Sequence, residues 1–179
     1  MMIIKGGCFM KAFMTTGTLN FLEKIADKHD NYSFFLMVGP SNTLAYYEGN
    51  KKNVFAAGRA YDILTQHGNI LDEGYVVMNH IPVTSEGMPI FENHLKKREA
   101  HVSALHGLHA FRLLKPTKGY TYIILTQWQS ADHYEAWRET EDFQEILGYQ
   151  AMKQPAYFAA RPYGTSYHMY IEDEVTNDD

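Results

Sequence analysis

The amino-acid pattern predicts an α+β protein built on antiparallel sheet with helices packed on one face. Three observations lead there. Short apolar or aromatic runs of strand length are separated by turn residues. Between them lie longer segments with apolar residues at three- and four-residue spacing, each opened by a Ser or Thr cap. The C-terminal part reads β-α-β-β-α-β, and the N-terminal part echoes it more weakly as β-α-β-β-α. Each half is expected to form one sheet, the first a degenerate copy of the second, with the two bare sheet faces buried against one another.

From the start, residues 11–15 read as a strand and 18–29 as a helix with Leu19, Leu22 and Ile25 on one face. Strands over 33–38 and 43–47 flank Gly39-Pro40-Ser41-Asn42, a hairpin turn. A short strand over 54–56 precedes a helix over 59–66, closed by His67-Gly68. A strong strand over 75–83 leads into a long helix over 84–105 ended by His106-Gly107. Strands over 108–114 and 120–128 follow, then a Ser130-capped helix to Arg138, a further turn or two over 141–147, a connection over 148–164 and a last strand over 165–171.

Composition limits the function classes. With 179 residues, 45% hydrophobic and 21% charged, the chain suits one domain or two small ones sharing a core. A net charge of −5 and the lack of a Lys/Arg stripe give no reason to expect nucleic acid. The single cysteine, Cys8, cannot form an intramolecular disulfide and fits a reducing compartment. No apolar run reaches the length of a signal peptide core or a membrane span, so a cytoplasmic protein is expected. Met10-Lys11 resembles an alternative start, which makes residues 1–9 a leader extension.

Three side chains interrupt apolar surfaces. Alternation along the strand over 75–83 places Asn79 on one face with Val77, Ile81 and Val83. A carboxamide turned to such a surface finds a partner or costs roughly 1–3 kcal/mol, which suggests a ligand pocket. Arg98 falls on the stripe of Phe91, Leu95, Val102 and Leu105. Either an internal carboxylate or an anionic ligand group such as a propionate or phosphate meets it, or it lies at the border and snorkels to water. Trp137, on the face of Tyr134, is either a core indole or the wall of a cofactor site, and the same choice holds for Tyr149, Tyr157, Phe158 and Tyr163. His94, His101, His106 and His109 cluster around the long helix without the spacing of a metal motif, so no protein-only metal site is expected. No nucleophile elbow, phosphate-cradling glycine loop or Cys/His pair is present, which argues against classical hydrolase or kinase chemistry.

The stretches 75–83, 86–93, 111–116, 122–128 and 134–137 resemble the antibiotic biosynthesis monooxygenase (ABM) family, and Thr16-Gly17-Thr18 with Phe21-Leu22 is similar to the opening of its longer, heme-degrading members. The resemblance implies a ferredoxin-like fold of the dimeric α+β barrel type, organised as a leader (1–9), an N-terminal ferredoxin-like half (10–72), an ABM-like domain (73–172) and an acidic tail (173–179). It further implies heme held between sheet and helices, with Asn79 donating its amide at the reacting face, Trp137 pressing on the porphyrin and Arg98 pairing with a propionate. The family's iron-ligating histidine position is Leu147 here, which leaves His94, His101 and His133 as candidates. The function implied is a heme-binding, heme-degrading monooxygenase that uses dioxygen and a reductant to open porphyrin and release iron. The alternatives are a non-catalytic regulatory or stress protein of the TRAP type, or a cofactor-independent oxygenase of a small aromatic compound. The expected partners are heme or a small aromatic ligand and an unidentified electron donor, in a monomeric pseudo-dimer or a homodimer.

Overall fold

A computed structural model of the chain describes residues 10–50, 52–147 and 155–172. The leader, the acidic tail and Tyr149 lie outside the described residues. The order is β1 (Lys11–Gly17), α1 (Leu19–Lys28), β2 (Phe35–Val38), β3 (Thr43–Gly49), β4 (Arg59–Gly68), β5 (Tyr75–Pro82), a 3-10 turn at Ser85–Gly87, α2 (Met88–Lys96), α3 (Glu99–Val102), β6 (Leu108–Pro116), β7 (Thr121–Trp128), α4 (Ala131–Arg138), α5 (Glu141–Leu147) and β8 (Tyr163–Met169).

The strands close into one antiparallel barrel in the order β1-β3-β2-β8-β5-β7-β6-β4. Within it the first half reads β4-β1-β3-β2 and the second β8-β5-β7-β6, the same arrangement twice. The halves join at two seams. β4 runs along β6 from Tyr61↔Pro116 to Gly68↔Ala110, whereas β2 meets β8 only at Met37↔Met169 and Val38↔His168. The expected ferredoxin-like repeat is therefore present. It is degenerate because the β3–β4 connection carries no helix where β7–β8 carries α4 and α5.

Three sequence expectations are corrected here. The segment over 59–66 is strand β4, not a helix, and 54–56 lies outside the sheet and runs into a turn at Ala56. Ala60, Ile63, Leu64 and His67 have a helical spacing, but Tyr61 and Ile63 alternate inward and the backbone pairs with both β1 and β6. Tertiary pairing outweighs a weak local preference. The long helix over 84–105 is also interrupted. Arg98 caps α3 with φ −105 and ψ 1, so the helix splits at 97–98 while its apolar stripe stays on one side. The proposed caps hold: Thr18, Thr84, Ser130 and Thr140 accept from the backbone amides of Phe21, Gly87, His133 and Phe143.

Period-two alternation sorts side chains into three layers. Inside the barrel lie Met14, Met37, Tyr46, Tyr61, Met78, Leu114, Ile123, Leu125 and Tyr167. On the outer face of the first half, Phe13, Tyr47 and Phe55 pack against Leu22 of α1. On the outer face of the second half, Val77, Ile81, Ile124 and Trp128 meet Phe91, Leu95, Tyr134, Trp137, Phe143, Ile146 and Leu147 from the helices. This third layer holds the candidate site.

Candidate active site

Asn79 lies on the outer face of β5, between the buried Val77 and Ile81, as the alternation requires. Its register partner on β8 is Gly164, which presents no side chain there. The gap left by that glycine is a hollow of about 240 Å3 lined by Asn79, Val77, Tyr134, Arg138, Phe143 and Gly164. The carboxamide stands near the Tyr134 hydroxyl and favours its ionised form, although burial moves that phenol upward on balance. Nδ2 of Asn79 is nevertheless buried with no hydrogen-bond partner among the described residues.

Trp137 is 4% exposed and packs against Trp128 at 5.1 Å, Phe143 at 5.1 Å and Tyr134 at 6.1 Å between ring centroids. Phe143 and Tyr134 thus separate its indole from the Asn79 hollow. Nε1 of Trp137 and Nε1 of Trp128 are both buried without a partner among the described residues. Arg98 is half-buried and turned back along α2, donating to the His94 carbonyl at 3.0 Å and to Nδ1 of His94 at 3.1 Å. Its Nε is a further buried donor without an acceptor among the described residues. The cation does not snorkel freely and meets no described carboxylate.

The three histidines have different surroundings. Because a guanidinium only donates, Nδ1 of His94 must accept from Arg98, which places its proton on Nε2. Burial and the Arg98 charge both push His94 down, while a hydrogen bond to the Glu145 backbone opposes them, so the ring is neutral and links α2 to α5. His133 is held by Ser130 Oγ at 2.7 Å and packs on Gly107, where an added Cβ would lie 2.2 Å from the ring. His101 is half exposed beside Asp142 at 3.5 Å. The donor atoms of His101, Asp142 and Glu145 fall within 4.8 Å of one another, a grouping across α3 and α5 that linear spacing did not reveal. Leu147, at the family's ligand position, is 5% exposed and part of the apolar layer.

The structure therefore brings Asn79, Arg98 and Trp137 into one layer, but they do not open on one hollow among the described residues. Sequence reasoning missed two polar groups. Trp128, fully buried next to Trp137, looks like any strand tryptophan until its unpartnered N–H is seen. Tyr134 reads as core but stands at the hollow with Asn79.

A ferredoxin-like repeat closed into a barrel defines an α+β barrel protein, here with buried polar atoms that lack partners among the described residues on its second half. Residues 74–148 match the family described as ABM, Antibiotic biosynthesis monooxygenase. A heme-degrading monooxygenase of Listeria monocytogenes is 28% identical over 136 residues, 76% of this chain and 81% of its own length. The signal transduction protein TRAP of Staphylococcus epidermidis is 26% identical over 168 residues, 92% of this chain and 99% of its own. A solved structure described as a major regulator of staphylococcal pathogenesis superposes with a TM-score of 0.83 at 20% identity, covering 90% of this chain and 99% of that one, which speaks for the fold alone.

Proposed function

We propose that this protein binds heme in the outer layer of its second half and degrades it as a monooxygenase, with the ABM-type domain spanning 73–172 behind an N-terminal half at 10–72. One observation carries the reading. Asn79 Nδ2, Arg98 Nε, Trp128 Nε1 and Trp137 Nε1 are all buried donors without acceptors among the described residues, the two indoles inside the apolar layer and Asn79 and Arg98 on elements, β5 and α3, that contribute to it. Each such donor costs about 1–3 kcal/mol, a cost relieved by a largely apolar guest that carries acceptors. The name of the listerial relative supplies the guest of that description.

The acceptors of heme, its propionates above all, suit this donor set, and heme when bound would supply the redox-active iron with which dioxygen and a reductant open the porphyrin ring. The chain's residues have definable tasks. Arg98 pairs its guanidinium with a propionate once it leaves His94. Asn79 donates its amide hydrogens at the reacting face, and Trp137 with Trp128 forms the wall against the ring. His94 is the histidine best placed inside the layer; as iron ligand it must give up Arg98 and the Glu145 carbonyl. The hollow at Asn79 is smaller than the roughly 300–1,000 Å3 of ordinary ligand pockets, so a tetrapyrrole enters only if Phe143, Ile146 and Leu147 of α5 give way.

A second reading has its own support. Leucine at position 147 cannot ligate iron, and the layer around it is closed, which favours a regulatory or stress protein of the TRAP kind on the same scaffold. A hemin titration followed by absorption separates the two. A sharp Soret shift, then loss of the band on adding ascorbate in air, is expected for the enzyme. Absence of any shift at tens of micromolar hemin overturns it in favour of the second reading. Under the enzyme reading, His94→Ala alters the Soret position, whereas His101→Ala and His133→Ala leave it unchanged.

A further inference from the structure

A second cavity opens at one end of the barrel, away from the layer just described. Five adjacent strands supply its rim: β8, β5, β7, β6 and β4. Its volume is about 470 Å3, and its lining includes Arg59, Tyr61, His80, Lys118, Tyr120 and Tyr163. Arg59 and Tyr61 on β4, His80 on β5 and Tyr163 on β8 share the parity of the inward-pointing residues of their strands and lie toward this end of the barrel. Lys118 and Tyr120 come from the β6–β7 turn.

The chemistry of this mouth is uniform. No Asp or Glu lines it, although the chain as a whole carries a net charge of −5. Neither Arg59 nor Lys118 forms an ion pair with a described carboxylate. The floor is aromatic. The His80 ring lies parallel to Tyr163 at 4.5 Å and 4°, held by a hydrogen bond of 3.0 Å between Nε2 and Thr165 Oγ1. Tyr163 and Tyr120 remain 53% and 56% exposed, which leaves flat faces turned to whatever fills the mouth. Two cations without a described carboxylate partner, Arg59 bonded to the Tyr61 hydroxyl, share the lining with stacked rings, and in a volume within the usual ligand range this selects a planar ring with a negative group.

We infer that the barrel mouth is a binding site for a small aromatic carboxylate, its carboxylate held by Arg59 and Lys118 and its ring laid against Tyr163 and Tyr120. The site is independent of the heme layer. Burial and the Arg59 charge hold His80 at about 4, so its ring is neutral near pH 7 and adds stacking surface without competing for the anion.

Fluorescence titration of 2-naphthoate with the full-length protein tests this, with 2-naphthalenemethanol as the neutral ring and inorganic phosphate as the anion without a ring. Saturable one-to-one binding of naphthoate is expected, weakened about fivefold by Arg59→Gln and by Lys118→Gln, each charge being worth about 1 kcal/mol at a partly exposed site. Both residues are exposed and carry no core packing, so the variants fold. Arg98→Gln leaves naphthoate binding unchanged, and Arg59→Gln leaves the hemin titration unchanged, which separates the two sites. The inference is overturned if naphthoate does not saturate, if the alcohol binds equally well, if phosphate displaces it at comparable concentration, or if both charge variants bind like the parent.

Discussion

At the scale of single residues, Gly164 determines the character of the Asn79 hollow. A Cβ there would lie 3.6 Å from Asn79 Oδ1, ordinary contact, and the backbone has no positive φ, so neither strain nor clash demands the glycine and its effect is to leave the hollow open. Gly164→Leu is expected to fill the hollow, weaken hemin binding about tenfold or more and leave the melting temperature unchanged; parent-like binding would show that the guest does not reach Asn79. Asn79→Ala should keep hemin binding and lower turnover by about a hundredfold, the usual loss when one donor facing a reacting group is removed. Retained turnover removes Asn79 from the chemistry. His80 gives a pH signature. Unfolded, it protonates near 6.5, and folded, near about 4, so the unfolded chain takes up the extra proton between those values. Stability therefore falls as pH drops from about 6.5 to about 4 and levels off below, by at most about 3 kcal/mol. Urea midpoints across that window should show this slope in the parent and lose it in His80→Asn; identical profiles would mean that burial does not hold the ring neutral.

Among the elements, what could be read from the sequence was what is local. Asn79 stood out because a carboxamide alternates with Val77 and Ile81 within one strand, and Thr18, Thr84, Ser130 and Thr140 announced their helices because a cap acts on amides three residues away. Strand β4 was not legible. Its inward residues Tyr61 and Ile63 alternate, but the register slips between Ile63 and Thr65, which breaks the period and leaves a helix-like spacing. The side-chain ties between distant elements were equally hidden. Gln127, fully buried at the end of β7, accepts from the Leu71 amide at 2.8 Å and donates to the carbonyls of Leu71 at 2.7 Å and Glu73 at 3.1 Å. It thereby fastens the segment between β4 and β5 to the barrel. Gln127→Leu strands those backbone groups and should cost about 2–4 kcal/mol in chemical denaturation, with hydrogen exchange accelerated first at residues 69–74. A loss confined to β7 itself would refute that role.

For the molecule as a whole, closure of the barrel decides what kind of object the chain is. All eight strands find both neighbours within one chain, so no free strand edge remains among them to recruit a second copy. Sedimentation is accordingly expected to give a single species near 20.6 kDa. The two halves are also tied through the interior. Arg112 on β6, 2% exposed, reaches across to Glu48 on β3 at 2.8 Å and donates to the carbonyls of His67, Gly68 and Phe111, while the Tyr46 hydroxyl donates to the same carboxylate. Sequence could not expose this pair, because its partners stand 64 residues apart and each looks like a surface charge. Burying two charges costs several kcal/mol of hydration, which their attraction and these hydrogen bonds offset only while the set is complete. Arg112→Met alone leaves Glu48 and three carbonyls without their cation and should lose about 3–5 kcal/mol. Glu48→Leu alone leaves the guanidinium without its anion and should lose a comparable amount. In the double variant neither charge remains, so its loss should fall short of the combined single losses by about 1–3 kcal/mol. Strictly additive losses would mean that the halves are held by their strand seams alone, with the central pair contributing nothing to the closure.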